Sequence, residues 1–281
     1  MSAVKIAVVT GSTDGLGRVA ATMLARDGYR VWVHGRDVLR GETLVRQIAA
    51  QGGEARFLRA DFGSLGEVRA FATHLLHELP ALDLLINNAG IGPHSPGGCR
   101  GRELSADGYE LRWAVNYLAG FLLTHMLLPA LERAAPARIV NVSSLGQFPL
   151  DFSNLMLERA YSGMRAYAQS KLAQVLFTFD LARALRLRGV TVNALHPATF
   201  MDTTMVRAMN VEPRSTVAAG AAALMHLACA PEHSGTSGEF FDGMSRARAH
   251  AQAYDLQAQQ RLAAISERLT GLVANPASAA T

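Results

Sequence analysis

An α/β fold, with a parallel doubly wound sheet and helices on both of its faces, is what this 281-residue sequence predicts. Two observations predict it. Short β-branched runs at 4–9, 30–34, 55–59, 84–87, 138–142, 190–194 and 239–241 alternate with longer helical patterns at 16–27, 38–50, 65–77, 111–131, 166–187 and 215–229. Strict strand–helix alternation implies right-handed crossovers and a sheet covered on both sides. The second observation is a glycine-rich turn standing between the first strand and the first helix. Seven such runs give a seven-stranded parallel sheet in a single Rossmann-type domain. Ligands in such folds sit beyond the carboxyl ends of the strands, so the residues just after each strand carry the functional argument.

The first junction reads Thr10-Gly11-Ser12-Thr13-Asp14-Gly15-Leu16-Gly17. Glycines permit a tight turn and close approach of a pyrophosphate to the backbone, and the following helix offers free N–H groups and a positive dipole end. An ordinary glycine turn is the plain alternative. Gly11, Ser12, Thr13, Gly15, Leu16 and Gly17 are the expected phosphate contacts.

The second strand ends His34-Gly35-Arg36. Sites that prefer NAD place an acid here for the ribose 2′-hydroxyl, whereas this chain has glycine followed by a guanidinium able to hold a 2′-phosphate. NADP(H) is therefore the expected cofactor. Asp37 is close enough to leave NAD(H) open, Arg18 is a candidate helper, and a solvated strand-end arginine is the bland alternative.

On the helix expected over 166–187, Tyr167 and Lys171 are four residues apart and share one face. A phenol titrates near pH 10, and a neighbouring ammonium favours the phenolate. The expectation is a phenol pKa lowered by the close ammonium together with the oxidised nicotinamide, and a tyrosine that gives a proton in carbonyl reduction or takes one in alcohol oxidation. The chain has only two lysines, Lys5 and Lys171, among many arginines. A compact ammonium beside a tyrosine is thus a marked choice, since a guanidinium fork does not replace it.

Together the pieces resemble the short-chain dehydrogenase/reductase family across nearly the whole chain. They are Thr10–Gly17, Asp61 after the third strand, Asn87-Asn88-Ala89-Gly90 after the fourth, Asn116, Asn141-Val142-Ser143-Ser144 after the fifth, and Tyr167-Ala168-Gln169-Ser170-Lys171. The stretch 167–178 and Ser266-Glu267-Arg268-Leu269 look like the retinol dehydrogenase branch, which favours lipophilic alcohols and carbonyls. The resemblance implies that Ser144 polarises the substrate oxygen, with Ser143 as rival, and that Asn116 holds a water linking Lys171 to a proton relay. It places Asp61 and Phe62 at the adenine, Asn88, Ala89 and Gly90 at the adenine-ribose side, and Pro197 and Thr199 near the nicotinamide. Asn88 is equally readable as a strand tie. His196, His125 and His226 read as packing or capping residues. Family members often pair through two long helices, making a homodimer or homotetramer the assembly to test for.

Two stretches, 145–166 and 199–214, read as lids over the 1–244 core. The first carries Phe148, Leu150, Phe152, Leu155, Met156 and Leu157, the second Met201, Met205 and Met209. Adaptable thioethers and water-excluding lids suit a roomy apolar pocket. The alternative is that both pack into the core or an interface. Residues 245–281 read as a C-terminal helix and a polar tail.

Bulk properties narrow the classes. A hydrophobic share of 49% with 18% charged residues describes a globular enzyme. The net charge of +4 lacks clustered basic residues among aromatics, which argues against nucleic acid. Cys99 and Cys229 make neither a disulfide framework nor a zinc site, and no metal is expected. A strand starting at residue 4 leaves no room for a signal peptide, and the apolar stretch 117–131 is too short to span a bilayer. A cytoplasmic protein without an integral membrane segment is expected. The sequence thus reads as an NADP(H)-dependent oxidoreductase acting on a carbonyl or alcohol of a lipophilic small molecule. A catalytically inactive NADP-binding sensor or scaffold is the runner-up. An epimerase would need more chain after residue 245 than is present.

Overall fold

The computed structural model describes residues 4–94 and 101–272; Cys99 and the tail after Leu272 lie outside them. Among the described residues one sheet has the order β3-β2-β1-β4-β5-β6-β7-β8. Its first seven strands, β1 (Ile6–Val9), β2 (Arg30–Gly35), β3 (Glu54–Arg59), β4 (Leu84–Asn87), β5 (Ala137–Val142), β6 (Val190–His196) and β7 (Phe240–Asp242), run parallel. β1 and β4 are buried along their whole length, as central strands covered on both faces must be. The chain runs outward from β1 to β3 and then returns to start the other half at β4. That reversal opens a crevice at the carboxyl ends of β1 and β4.

One face is covered by α1 (Gly15–Arg26), α2 (Val38–Ala50) and α7 (Val217–Cys229), whose Leu16, Leu24, Leu44, Ile48 and Leu224 meet Val9, Val33 and Ile86. The other face takes α3 (Leu65–Glu78), a π-helical turn (Trp113–Leu118) running into α4 (Ala119–Ala134), and α5 (Gly163–Ala184). α5 starts three residues before the expected position because Ser162 caps it, accepting from the Arg165 N–H. The continuous helix Trp113–Ala134 is long and apolar enough to cross a membrane by length and composition, which corrects the shorter apolar stretch expected from sequence. Two-thirds of its most apolar window is buried inside the fold, as in a core helix.

The sheet has eight strands rather than seven, and the last is not parallel. β8 (Ser245–Ala247) pairs antiparallel with β7 through Phe240↔Ala247 and Asp242↔Ser245. Gly243, at φ 59°, opens the two-residue loop that folds the chain back. The helix expected in the C-terminal region therefore begins later, as α8 (Leu256–Thr270). Asp255 caps its start by accepting from the Gln257 and Ala258 N–H groups, and Gly271 closes it in the left-handed region at φ 61°.

A buried ion pair ties the loop after β4 to the helical face. Arg112 and Glu110 are both fully buried. The Arg112 guanidinium donates to the Gly92 and Pro93 carbonyls at 3.1 Å each and to the Tyr161 hydroxyl at 2.8 Å. Glu110 Oε1 lies 3.3 Å from Arg112 Nη1, while Oε2 accepts from the Trp113 N–H at 2.8 Å and so caps the π turn. Removing the wholly buried Glu110 takes the nearer carboxylate from Arg112 in a medium of low polarity, while Glu103 Oε2, 3.8 Å from Arg112 Nη2, keeps part of the charge paired. Glu110→Ala should therefore cost at most about 3–5 kcal/mol in urea unfolding, and a loss below about 1 kcal/mol would show that Glu103 takes over the pairing of Arg112.

Candidate active site

The glycine turn is held from beneath. The Gly11 N–H donates to His34 Nδ1 at 2.9 Å, and His34 Nε2 lies 3.1 Å from the Ala60 carbonyl. A carbonyl only accepts, so Nε2 carries the proton and the ring is the neutral tautomer. Burial lowers the His34 pKa to about 4, and the ring stacks on Phe62 at 4.0 Å. Phe62 is thus buried under the turn, leaving only its backbone to face a ligand. The same holds for Ser12, whose hydroxyl donates to the Val9 carbonyl and accepts from the His34 N–H.

Space alone demands two of the glycines. A Cβ on Gly11, which has φ +61°, would stand 2.7 Å from Ala89 Cα, and one on Gly17 would stand 2.4 Å from the Gly11 carbonyl oxygen. Across the crevice Thr10 Oγ1 accepts from the Asn88 and Ala89 N–H groups, and Asn88 Nδ2 donates to the Thr10 and Gly11 carbonyls. Asn88 is a tie between β1 and β4, the second of its two readings. The first turn of α1, which follows this tie, has N–H groups without intrahelical partners, a cradle suited to a pyrophosphate.

At the end of β2, Arg36 Nη1 lies 3.9 Å from Asp61 Oδ2, both groups exposed. Asp61 Oδ1 accepts from the Gly63 N–H. A Cβ on Gly35 would stand 2.5 Å from the Thr13 side chain, so Thr13 occupies the space an acid at Gly35 would need. Arg18 donates to Gln47 Oε1 at 2.8 Å. Sequence reasoning missed Arg40, which lines an open groove of about 420 Å³ with Thr13, Asp14, Arg18, Leu39 and Thr43. Its guanidinium sits 3.6 Å from Asp14 and 3.5 Å from Asp37. Its place in the first turn of the helix directly after Arg36 was the available signal.

At the carboxyl ends of β4, β5 and β6 the reactive groups converge. The Tyr167 phenol lies beside the Ser144 hydroxyl, whose influence lowers its pKa, and Ser144 Oγ accepts from the Gly146 N–H at 3.0 Å. Ser143 is committed elsewhere, its hydroxyl donating to the Lys171 carbonyl at 2.7 Å. Lys171 Nζ stands 5.7 Å from the centre of the Tyr167 ring, donates to the Val142 carbonyl at 2.8 Å and to Gln174 Oε1 at 3.0 Å, and faces Gly90. Asn116 Oδ1 accepts from the Ile91 N–H at 2.7 Å, and its Nδ2 donates to the Ile91 carbonyl and to Ser170 Oγ. Its amide therefore reaches the neighbour of Lys171 rather than Lys171 itself.

Protein groups alone do not lower the phenol; the nicotinamide's share of the expected shift lies outside this balance. Burial raises the Tyr167 pKa, outweighing the lowering effect of Ser144, and burial brings Lys171 down to about 7. A lysine depressed by burial does not offset the desolvation of the phenol. With protein groups alone, Tyr167 stays protonated at neutral pH.

Of the remaining candidates, Thr199 accepts from or donates to His196 Nε2 at 3.1 Å, and its carbonyl accepts from Ser215. Pro197 packs beside Gly220 on α7. His125 packs on Phe121 and Phe177, and His226 on His233. The segment 199–214 contains the short helix α6 (Thr204–Arg207) and arches over the glycine turn, with Thr204 Oγ1 donating to Asp14 Oδ2 at 2.8 Å and Met205 against Gly92. The stretch 145–166 divides. Leu150, Leu155 and Leu157 enter the core, while Leu145, Phe148 and Met164 remain exposed near Ser144 and Tyr167. Among the described residues no cluster of metal-ligating side chains occurs.

Comparison with known proteins gives the chain's relatives. Residues 5–214 match the short chain dehydrogenase family model. Retinol dehydrogenase 13 of Homo sapiens is 37% identical over 299 aligned positions, covering 96% of this chain and 86% of that protein. Retinol dehydrogenase 12 of Mus musculus is 35% identical, covering 95% and 87%. Among solved structures, an uncharacterized protein from Mycobacterium paratuberculosis superposes with a TM-score of 0.77 at 32% identity, covering 95% of this chain and 93% of that one. A short chain dehydrogenase from Burkholderia cenocepacia in complex with NADP gives 0.68 at 28%, covering 85% and 95%.

The neutral His34 has a stability consequence. Its pKa is lower folded than unfolded, so the unfolded chain binds more protons between pH 6.5 and about 4, and stability falls as pH drops through that window. The cost at pH 5 is about 2 kcal/mol. The loss of unfolding free energy between pH 7 and pH 5 should shrink by about that amount in His34→Gln; an identical loss in both proteins would contradict the assignment.

Proposed function

The chain belongs to the short-chain dehydrogenase family, and on that premise we propose that it is an NADP(H)-dependent oxidoreductase interconverting the carbonyl and alcohol forms of a lipophilic small molecule. The observation that carries the proposal is the convergence of Ser144, Tyr167 and Lys171 beside Gly90, one strand from the glycine cradle.

The residues fit a dinucleotide carrying a 2′-phosphate. The cradle of Gly11–Gly17 would hold the pyrophosphate, and Arg36 with Arg40 would hold the 2′-phosphate. Thr13 fills the space an acid at Gly35 would need. The similar Burkholderia structure is itself a complex with NADP. When bound, the nicotinamide supplies or accepts the hydride. Ser144 donates a hydrogen bond to the substrate oxygen, and Tyr167 delivers the proton to that oxygen in reduction or removes it in oxidation. Lys171, aimed past Tyr167 towards Gly90, is placed to bond ribose hydroxyls and to stabilise the phenolate when it forms.

Because burial keeps the phenol protonated, Tyr167 is ready to donate at neutral pH, and this favours carbonyl reduction. Oxidation starts from the phenolate and needs a rise in pH. Leu145, Phe148 and Met164, in the segments that flank Ser144 and Tyr167, are exposed apolar side chains, with the Arg165 guanidinium 5.1 Å over the Phe148 ring. Such side chains suit a hydrophobic substrate better than a small polar one.

Three measurements test this. With NADPH and a panel of ketones and aldehydes, Tyr167→Phe should lose roughly a hundred- to ten-thousandfold in kcat while still binding NADPH; undiminished turnover would remove Tyr167 from the chemistry. Arg36→Ala should lose roughly ten- to a hundredfold in kcat/KM with NADPH and little with NADH, since one charge-assisted contact disappears. In pH profiles, kcat/KM for reduction should stay level through neutrality and fall on the alkaline side as the raised phenol ionises. That for oxidation should climb over the same range, and profiles with the opposite slopes would exclude Tyr167 as the proton carrier.

A further inference from the structure

α8 lies beyond the residues that match the family model, yet it is fastened to the fold by polar contacts at both ends. Near its start Gln259, buried, accepts from Arg183 of α5 at 2.9 Å and donates to the Ala253 carbonyl at 2.7 Å. Near its end the Leu269 carbonyl accepts from the Tyr109 hydroxyl at 2.9 Å, and the Thr270 carbonyl accepts from Arg69 of α3. Between these anchors Ser266, wholly buried, meets the hydroxyl of Tyr117 at 2.7 Å.

The direction of that bond follows from proton counting. The Ser266 hydroxyl gives its single hydrogen to the Leu262 carbonyl at 2.8 Å, so the Tyr117 hydroxyl donates to Ser266 Oγ. Burial pushes the Tyr117 pKa up, which keeps it a donor. Tyr117 adjoins Asn116 within the π turn Trp113–Leu118. A π turn carries an extra residue per turn, is uncommon, and recurs at functional sites. This one is held at its first residue by Glu110 on the Trp113 N–H and near its last by Ser266 on Tyr117. Asn116 in turn fixes Ile91 and Ser170, and Ser170 Oγ donates to the Tyr167 carbonyl at 2.7 Å.

We propose that Ser266 and Tyr117 form a brace through which α8 sets the π turn and, by way of Asn116 and Ser170, the placement of Tyr167 and Lys171. Both are positioning residues, because neither touches the reacting groups. The proposal rests on the catalytic roles given above. It also gives the Ser266–Leu269 segment a physical role, in which Ser266 supplies the acceptor and the Leu269 backbone supplies one of the anchors.

The test uses the full chain with Ser266→Ala, Tyr117→Phe and the double variant. Ser266→Ala alone strands a buried phenol, whereas the double variant removes both polar partners and retains a satisfied interior. In the double variant kcat for carbonyl reduction should fall roughly tenfold or more, since small displacements remote from the chemistry are costly. The KM for NADPH should stay within about twofold, because the phosphate cradle is untouched. The alkaline limb of the reduction profile should move, and hydrogen exchange at the Ile91 amide, which donates to Asn116, should quicken. A folded double variant with unchanged kcat, or with unchanged exchange at Ile91, overturns the brace. If the parent protein reduces no carbonyl with NADPH, the proposed function fails instead, and exchange at Ile91 alone decides whether the brace exists.

Discussion

Burial of a tyrosine and a lysine one helical turn apart is the constraint around which the rest of the site is arranged. Desolvation opposes the charged form of each, so the same helix face raises the phenol and depresses the ammonium. A lysine in such a place persists only if its donors are received. Val142 and Gln174 receive two of them, and Ser143 takes up the backbone carbonyl of Lys171 itself. The group that remains is an amine near its titration point, beside a phenol held in its acid form. That combination makes Tyr167 a proton donor before anything else binds.

Positioning such a pair demands more than apolar packing, because hydrophobic contacts set distance loosely and orientation hardly at all. The sheet meets this with a polar ladder. Asn87 Nδ2 donates to Asn141 Oδ1 and to Thr124 Oγ1, and Asn141 Nδ2 donates to Thr178 Oγ1. β4, β5, α4 and α5 are thereby held in register by directional bonds in a medium where such bonds are strong. All four residues are buried. The helices carrying Asn116 and Tyr167 descend from this ladder, and the loops at its upper end hold Asn88 to Gly90 and Ser143 to Ser144.

The parts of this design that repeat in one dimension were legible in the sequence. The central strands show as unbroken apolar runs, the cradle as a glycine spacing, and the Tyr167–Lys171 pair as a four-residue interval on a helix. Features that depend on direction in space were not. Nothing in residues 113–118 separates a π turn from an α turn, since both bury the same apolar residues. β8 is three residues long and carries Arg246, so neither length nor periodicity marks it, although Gly243 signals the turn before it. Leu150, Leu155 and Leu157 read equally as pocket lining or as core, and the chain turns them into the core. Ser12 and Phe62 stand where cofactor contacts belong, but their side chains point down to His34 and its surroundings. The upward shift of the Tyr167 phenol on protein groups alone was hidden for a related reason. Spacing reveals a neighbouring charge but not the desolvation that weakens it.

Asp14 shows how the cradle accommodates a residue that suits its local structure and opposes its purpose. As the cap of α1 it is stabilising, accepting from the Gly15 N–H at 2.8 Å and complementing the helix dipole. As a carboxylate beside a phosphate cradle it is repulsive. The structure divides its two oxygens between these demands. Oδ1 serves the cap, while Oδ2 is turned outward to Thr204 at 2.8 Å and Arg40 at 3.6 Å. Its charge is thus directed to a hydroxyl and a guanidinium, and the N–H groups of the next turn stay available to an anion. The same two contacts join the segment after β6 and the first turn of α2 to the cradle, so three separate parts of the chain meet at one carboxylate.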